Sequence, residues 1–158
     1  MSTQSLRETI TQALKAAMIA KDEASVSTLR MITSAIKQKD IDVARPRGDQ
    51  QISPEEVLSL MQGMIKQRRE SVDLYVKGGR QELADKENAE ITAIEKFLPK
   101  QMSEDEVRST VKGLIASTGA AGIKDMGKIM GVLKTQYAGQ LDMGKASGII
   151  KEMLSAAA

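Results

Sequence analysis

The chain contains neither cysteine nor histidine. Without Cys there is no disulfide, no thiolate metal site and no thiol nucleophile. Without His, the commonest general base and the commonest nitrogen ligand for a metal are missing. No cofactor or metal is therefore expected. Aromatic residues make up only 2% of the 158 residues and are Tyr75, Phe97 and Tyr137. Base stacking cannot then be a main mode of nucleic-acid recognition. A core so poor in aromatics is built from Leu, Ile, Val, Ala and the ten Met, which favours helices over strands. Long apolar runs are missing too: nothing approaches the roughly 20 residues that span a bilayer, and the N-terminal region lacks a signal-peptide core. A cytoplasmic location without membrane association is predicted. Charge of one sign is also scarce, at a net +2, although residues 107–158 carry seven Lys/Arg against three acids.

What is present is helical periodicity. Leu6, Ile10, Leu14 and Ala17 repeat at helical spacing after Ser5, with Glu8 completing a capping-box pattern. Lys21-Asp22 breaks the run. A second stripe, Val26, Leu29, Ile32 and Ile36, leads into a polar loop predicted at Ala44-Arg45-Pro46-Arg47-Gly48-Asp49. Ser53-Pro54-Glu55-Glu56 is a helix start: an N-cap Ser, then Pro at the first helical position. That helix shows Val57, Met61, Ile65, Val72 and Tyr75, and stops at Gly78-Gly79. Leu83, Ile91, Ile94 and Leu98 form the returning arm of an antiparallel hairpin.

Pro99-Lys100-Gln101-Met102 reads as a domain boundary. Ser103-Glu104-Asp105-Glu106 then opens a fifth helix with Val107, Val111 and Leu114, closed by Gly119. Two short helices follow and carry an internal repeat. Asp125-Met126-Gly127-Lys128 and Gly131 return as Asp142-Met143-Gly144-Lys145 and Gly148. The predicted fold is all-α, with a four-helix N-terminal domain over residues 1–100 and a three-helix C-terminal domain over residues 103–158.

Two constellations stand out. Arg68 falls where the apolar stripe of the third helix should continue, and Glu87 fills a gap in the fourth. In the antiparallel hairpin, Arg68 is opposite Glu87 and Glu90. Such a cluster either fixes the hairpin's register as a structural ion pair or holds a ligand. With no nucleophile or base nearby, the structural role is favoured. Arg30, Lys66 and Arg69 are read as solvated helix-face charges.

The second constellation is the repeat. Each copy places an Asp N-cap before a Gly and a Lys in the first turn, where free N–H groups and the helix dipole suit a phosphate. The expected RNA-binding residues are Lys124, Lys128, Lys134, Lys145 and Lys151 with Gly127 and Gly144. The glycine pairs 127/131 and 144/148 are also expected to let two helices cross closely. No P-loop, dinucleotide fingerprint or nucleophile elbow appears, so no catalytic residue is predicted and independent amidase activity is not expected.

Several segments together resemble the YqeY-like family, also called GatB/YqeY-domain proteins. They are Leu29-Arg30-Met31 with Ser34-Ala35-Ile36-Lys37, Lys66-Gln67-Arg68-Arg69-Glu70-Ser71, Gly79-Arg80 with Glu82-Leu83, and Lys86-Glu87 with Glu90. Phe97-Leu98-Pro99-Lys100-Gln101-Met102-Ser103, the first Asp-Met-Gly-Lys copy through Gly131, and Gly139 to Asp142 continue the match. The resemblance implies a bacterial protein related to the C-terminal tail of the B subunit of the tRNA-dependent amidotransferase, a carbon–nitrogen ligase with glutamine as amido-N-donor. It implies tRNA or another structured RNA as partner for a non-catalytic accessory module. The alternatives are an amidotransferase component active only in a complex with other subunits, and a protein-interaction scaffold.

Overall fold

The computed structural model describes residues 3–157, with side chains for residues 6–156. Seven α-helices and no strand occur among the described residues. They fall into two compact units, Met1–Leu98 and Pro99–Ala158.

The first unit holds α1 (Thr3–Ile19), α2 (Glu23–Lys39), α3 (Pro54–Lys77) and α4 (Gln81–Glu95). The start expected at Ser5 is displaced, because α1 already runs from Thr3; the Ser5 side chain lies outside the described ones. Lys21, at a positive φ of 57°, turns the chain, and Asp22 caps α2 by accepting the Ser25 N–H at 3.2 Å. Ser53 caps α3 by accepting the Glu56 N–H at 3.2 Å. The hairpin between α3 and α4 turns at Gly79, whose φ of 72° is readily adopted only by glycine. Ile10, Ile32, Val57, Met61 and Ile94 are sealed at the centre of this unit.

The polar loop predicted from Ala44 is a correction. A π-helical turn at Asp40–Ala44 and a 3-10 turn at Arg45–Arg47 prolong α2, and the left-handed Gly48 ends the run. Asp40 explains the extension. Its carboxylate accepts two hydrogen bonds from Arg7 of α1, at 2.8 and 3.0 Å, and the backbone N–H of Ile52 at 2.9 Å. One buried carboxylate thus ties α1, the end of α2 and the approach to α3. Burial opposes its charge, but Arg7 and the Ile52 N–H outweigh burial and hold its pKa below the ordinary value.

The second unit holds α5 (Glu104–Thr118), α6 (Met126–Gln136) and α7 (Met143–Ala157), with a 3-10 turn at Ile123–Asp125 before α6. The helix starts at Ser103 as predicted, and Ser103 and Glu106 form a capping box there, each side chain accepting the other residue's backbone N–H. Val111, Ile129, Leu133, Ile150 and Leu154 are its sealed core. Residues 99–102 belong to this unit: Met102 donates its N–H to the Gln140 carbonyl at 2.7 Å, and Gln101 Nε2 donates to the Gly139 carbonyl at 2.6 Å.

Candidate functional site

In the first unit, Arg68 sits at the centre of a closed set of acceptors. It lies on the α3 stripe, and its side chain is only 11% exposed. Nε donates to Glu90 Oε2 at 3.0 Å, with Glu87 Oε2 at 4.0 Å. Nη1 donates to the Met64 carbonyl at 3.0 Å, and Nη2 reaches Met31 Sδ at 3.0 Å. All three guanidinium nitrogens meet protein acceptors, using three of the five N–H donors, and burial limits a ligand's access to the rest. Arg69, one residue on, is exposed and pairs with Glu95 at 3.1 Å. Lys66 and Arg30 are exposed.

In the second unit the two copies of the repeat fold differently. Asp142 is a working cap: its Oδ1 accepts the N–H groups of Gly144 at 2.8 Å and Lys145 at 3.3 Å. The backbone donors expected to greet a phosphate are therefore already satisfied by a carboxylate. Asp125 does not cap α6 at all. Its side chain turns back to accept the Ala121 N–H at 2.9 Å, and the preceding 3-10 turn feeds directly into the helix. That bond, with Lys128 nearby, outweighs desolvation and lowers the Asp125 pKa. The Lys128 ammonium stands 3.8 Å from Asp125 Oδ1. The expected pair of equivalent anion-binding helix ends, with Gly127 and Gly144 as bare donors, is thus corrected. Carboxylate capping takes one end and a 3-10 turn replaces the other.

The glycine faces are corrected as well. Gly127, Gly131, Gly144 and Gly148 are all exposed, and only Gly144 has an atom within 4 Å of a would-be Cβ, its own cap Asp142. These glycines face solvent, so no helix crosses over them within this unit.

The lysines remain as expected on the solvent side. Lys124, Lys134, Lys145 and Lys151 are exposed and make no ion pair among the described residues. Lys128/Lys134 and Lys145/Lys151 share one spacing, six residues, which separates each pair by about 120° around its helix. The cations are therefore spread around α6 and α7 rather than gathered at two helix starts. Lys145 borders a groove of about 520 Å³ between α5 and α7, floored by Val107 and Ile149 and flanked by Glu104 and Glu152. Arg108 bridges those two carboxylates at 3.1 and 3.2 Å, which raises its own pKa and offsets part of their charge.

A network that sequence reasoning missed is Arg7–Asp40–Ile52. Its signal is that Asp40 follows Ile36 by one helical turn, continuing the stripe Leu29, Ile32, Ile36, as Arg68 continues its own. Among the described residues, no cluster of three or more acidic side chains is placed to hold a metal ion. No described helix is long and apolar enough to cross a membrane.

These features define an all-helical protein of two compact units, one with two largely buried ion pairs, the other with free surface cations. The chain belongs to the Yqey-like protein family, whose profile matches residues 7–154. It is 34% identical over 87 residues to "Altered inheritance of mitochondria protein 41, mitochondrial" of Eremothecium gossypii, covering 55% of this chain and 45% of the relative. The same protein of Lachancea thermotolerans matches at 34% over 104 residues, covering 65% of this chain and 54% of the relative. That of Saccharomyces cerevisiae matches at 32% over the same length. The chain spans about half the length of the curated relatives it matches. These relatives are yeast proteins with mitochondrial names, and lend no support to the bacterial source or cytoplasmic location expected from sequence.

Proposed function

We propose that the protein is a non-catalytic accessory module that binds tRNA or another structured RNA through its C-terminal unit. The observation that supports this is the set of unpaired, exposed lysines on α6 and α7. Contact with phosphates by long cationic side chains needs no helix-end donors, so it survives the loss of the two expected anion sites. Binding of this kind is salt-dependent and poor in sequence preference. The two units act as domains in this reading, with the first, held in register by Arg68 and Glu90, as the structural one. A cytoplasmic setting goes with it; the relatives' names make the mitochondrion the alternative, which cell fractionation distinguishes.

The test is titration of labelled tRNA at several salt concentrations against wild type and a Lys134→Ala, Lys145→Ala, Lys151→Ala variant. Wild type should bind in low salt with a steep salt slope. Losing three phosphate contacts should flatten that slope by up to about three units. Identical curves would remove the lysines from the site, and no binding at low salt would remove RNA. A second reading, a protein-interaction scaffold or an amidotransferase component working in a complex, is favoured by the grooves.

A further inference from the structure

The first unit carries a groove of about 490 Å³ with an unusual wall. One side is a continuous stripe of α3: Glu56, Ser59, Leu60, Gly63, Met64 and Gln67. These positions follow the i, i+3, i+4, i+7 pattern for about three turns, the spacing by which a helix presents one face to another. The other side is Lys39, Val43 and Ile52, at the end of α2, in the π-helical turn and just before α3. The groove is independent of the lysines of the C-terminal unit and of the RNA reading.

Gly63 sits in the middle of the stripe. It is exposed, its backbone is helical, and a Cβ there would meet nothing within 4 Å. Glycine inside a helix destabilises it relative to alanine, and no turn, strained φ or internal close approach requires it here. It is the only glycine within a helix of this unit. A bare backbone at the centre of a groove lets a second backbone approach closely. The charge on the rim selects the partner's sign. Glu56 pairs at 2.8 Å with Arg47, a guanidinium it shares with Asp49 at 2.7 Å, whereas Lys39 is exposed and has no ion-pair partner among the described residues.

We propose that this groove binds an amphipathic helix of a partner protein, one with apolar residues on its seam, a small residue over Gly63 and a carboxylate facing Lys39. This is the helix-in-groove mode, in which apolar anchors at helical spacing supply affinity and a rim charge sets orientation. Val43, Leu60 and Met64 form the apolar contact surface.

The test uses the intact chain and a labelled, stapled helical peptide of about four turns, with leucines at i, i+4 and i+7, alanine on the seam and glutamates at both ends. Fluorescence anisotropy should show saturable binding. Gly63→Leu should weaken it by about ten-fold or more and Lys39→Glu by several-fold. Gly131→Leu, at an exposed helical glycine that lines neither this groove nor the one between α5 and α7, should leave it unchanged. Gly63→Ala should raise the melting midpoint while weakening the peptide, a split that a purely structural role for Gly63 would not produce. Circular dichroism checks that each variant is folded. Absence of saturable binding, equal binding by Gly63→Leu, or displacement of the peptide by tRNA would overturn the proposal.

Discussion

The two units handle charge in opposite ways. The first has as many acids as bases over residues 1–98, fifteen of each, and draws two of its arginines into largely buried ion pairs. Arg7 meets Asp40 and Arg68 meets Glu90, each holding together elements distant in sequence. The second unit has eight bases and six acids over residues 99–158, and its ion pairs involve exposed or half-exposed residues. Its core is Val, Ile, Leu and Ala alone. An ion pair at low dielectric specifies register because a misaligned alternative leaves a charge buried without a partner. A cation on a solvated helix contributes little to folding and stays free for a ligand. Charge thus specifies the fold in one unit and remains available for contact in the other.

The sharpest test compares neighbours on α3. Arg68→Ala leaves the largely buried Glu90 without its partner, so the first unit should lose about 3–4 kcal/mol. Arg69→Ala removes only an exposed contact with Glu95 and should cost under about 1 kcal/mol. Urea midpoints with equal m-values measure both. Equal losses would mean that burial does not distinguish the two arginines, and the contrast between the units would fail with it.

How much of this was legible follows from the range of each signal. Local chemistry read well: Ser53-Pro54 and the Ser103–Glu106 box start helices because their hydrogen bonds close within three residues. Periodicity placed Arg68 inward, since an interrupted stripe reports its own burial. Asp40 lies on an interrupted stripe too, but its partners, Arg7 and the Ile52 N–H, are 33 and 12 residues away in sequence. The repeat misled for a different reason. Identical residues at 125–128 and 142–145 meet different preceding chains, and the 3-10 turn before α6 removes the cap geometry that Asp142 keeps. The glycine pairs signal a bare helix face, but not what lies opposite it.

A second, smaller effect tests the Arg7–Asp40 pair by pH. Asp40 has a folded pKa below its unfolded value, so it binds a proton less readily in the folded state. Its contribution is therefore fully present above the unfolded pKa of about 4 and is lost as pH falls through the lowered folded value. The first unit should lose stability on acidification from about pH 5 downward, more steeply than an Asp40→Asn variant does. At neutral pH that variant should cost about 2 kcal/mol, because Arg7 keeps its charge while the carboxylate is replaced by a neutral acceptor. Melting curves at a series of pH values give both numbers. Parallel pH profiles for wild type and variant would show that Asp40 is not the group that titrates.

The smallest effect lies within the repeat, where one residue type has two jobs. Asp142→Ala removes the acceptor for the Gly144 and Lys145 N–H groups and should destabilise the second unit by about 1 kcal/mol, the usual cost of a lost cap. Asp125→Ala removes no cap. It frees the Ala121 N–H and the Lys128 ammonium, and should loosen the α5–α6 connection while leaving the α6 amides protected. Amide hydrogen exchange distinguishes the two outcomes: faster exchange in the first turn of α7 for Asp142→Ala, and faster exchange at Ala121 for Asp125→Ala. The same variants bear on RNA. Asp142→Ala uncovers the donors at the start of α7 and removes a negative charge beside Lys145, so tRNA binding should strengthen even as the unit becomes less stable. Stability and affinity moving in opposite directions would show that the cap occupies what would otherwise be an anion site. A parallel loss of both would show that the fold around Asp142, and not its charge, is what the lysines need.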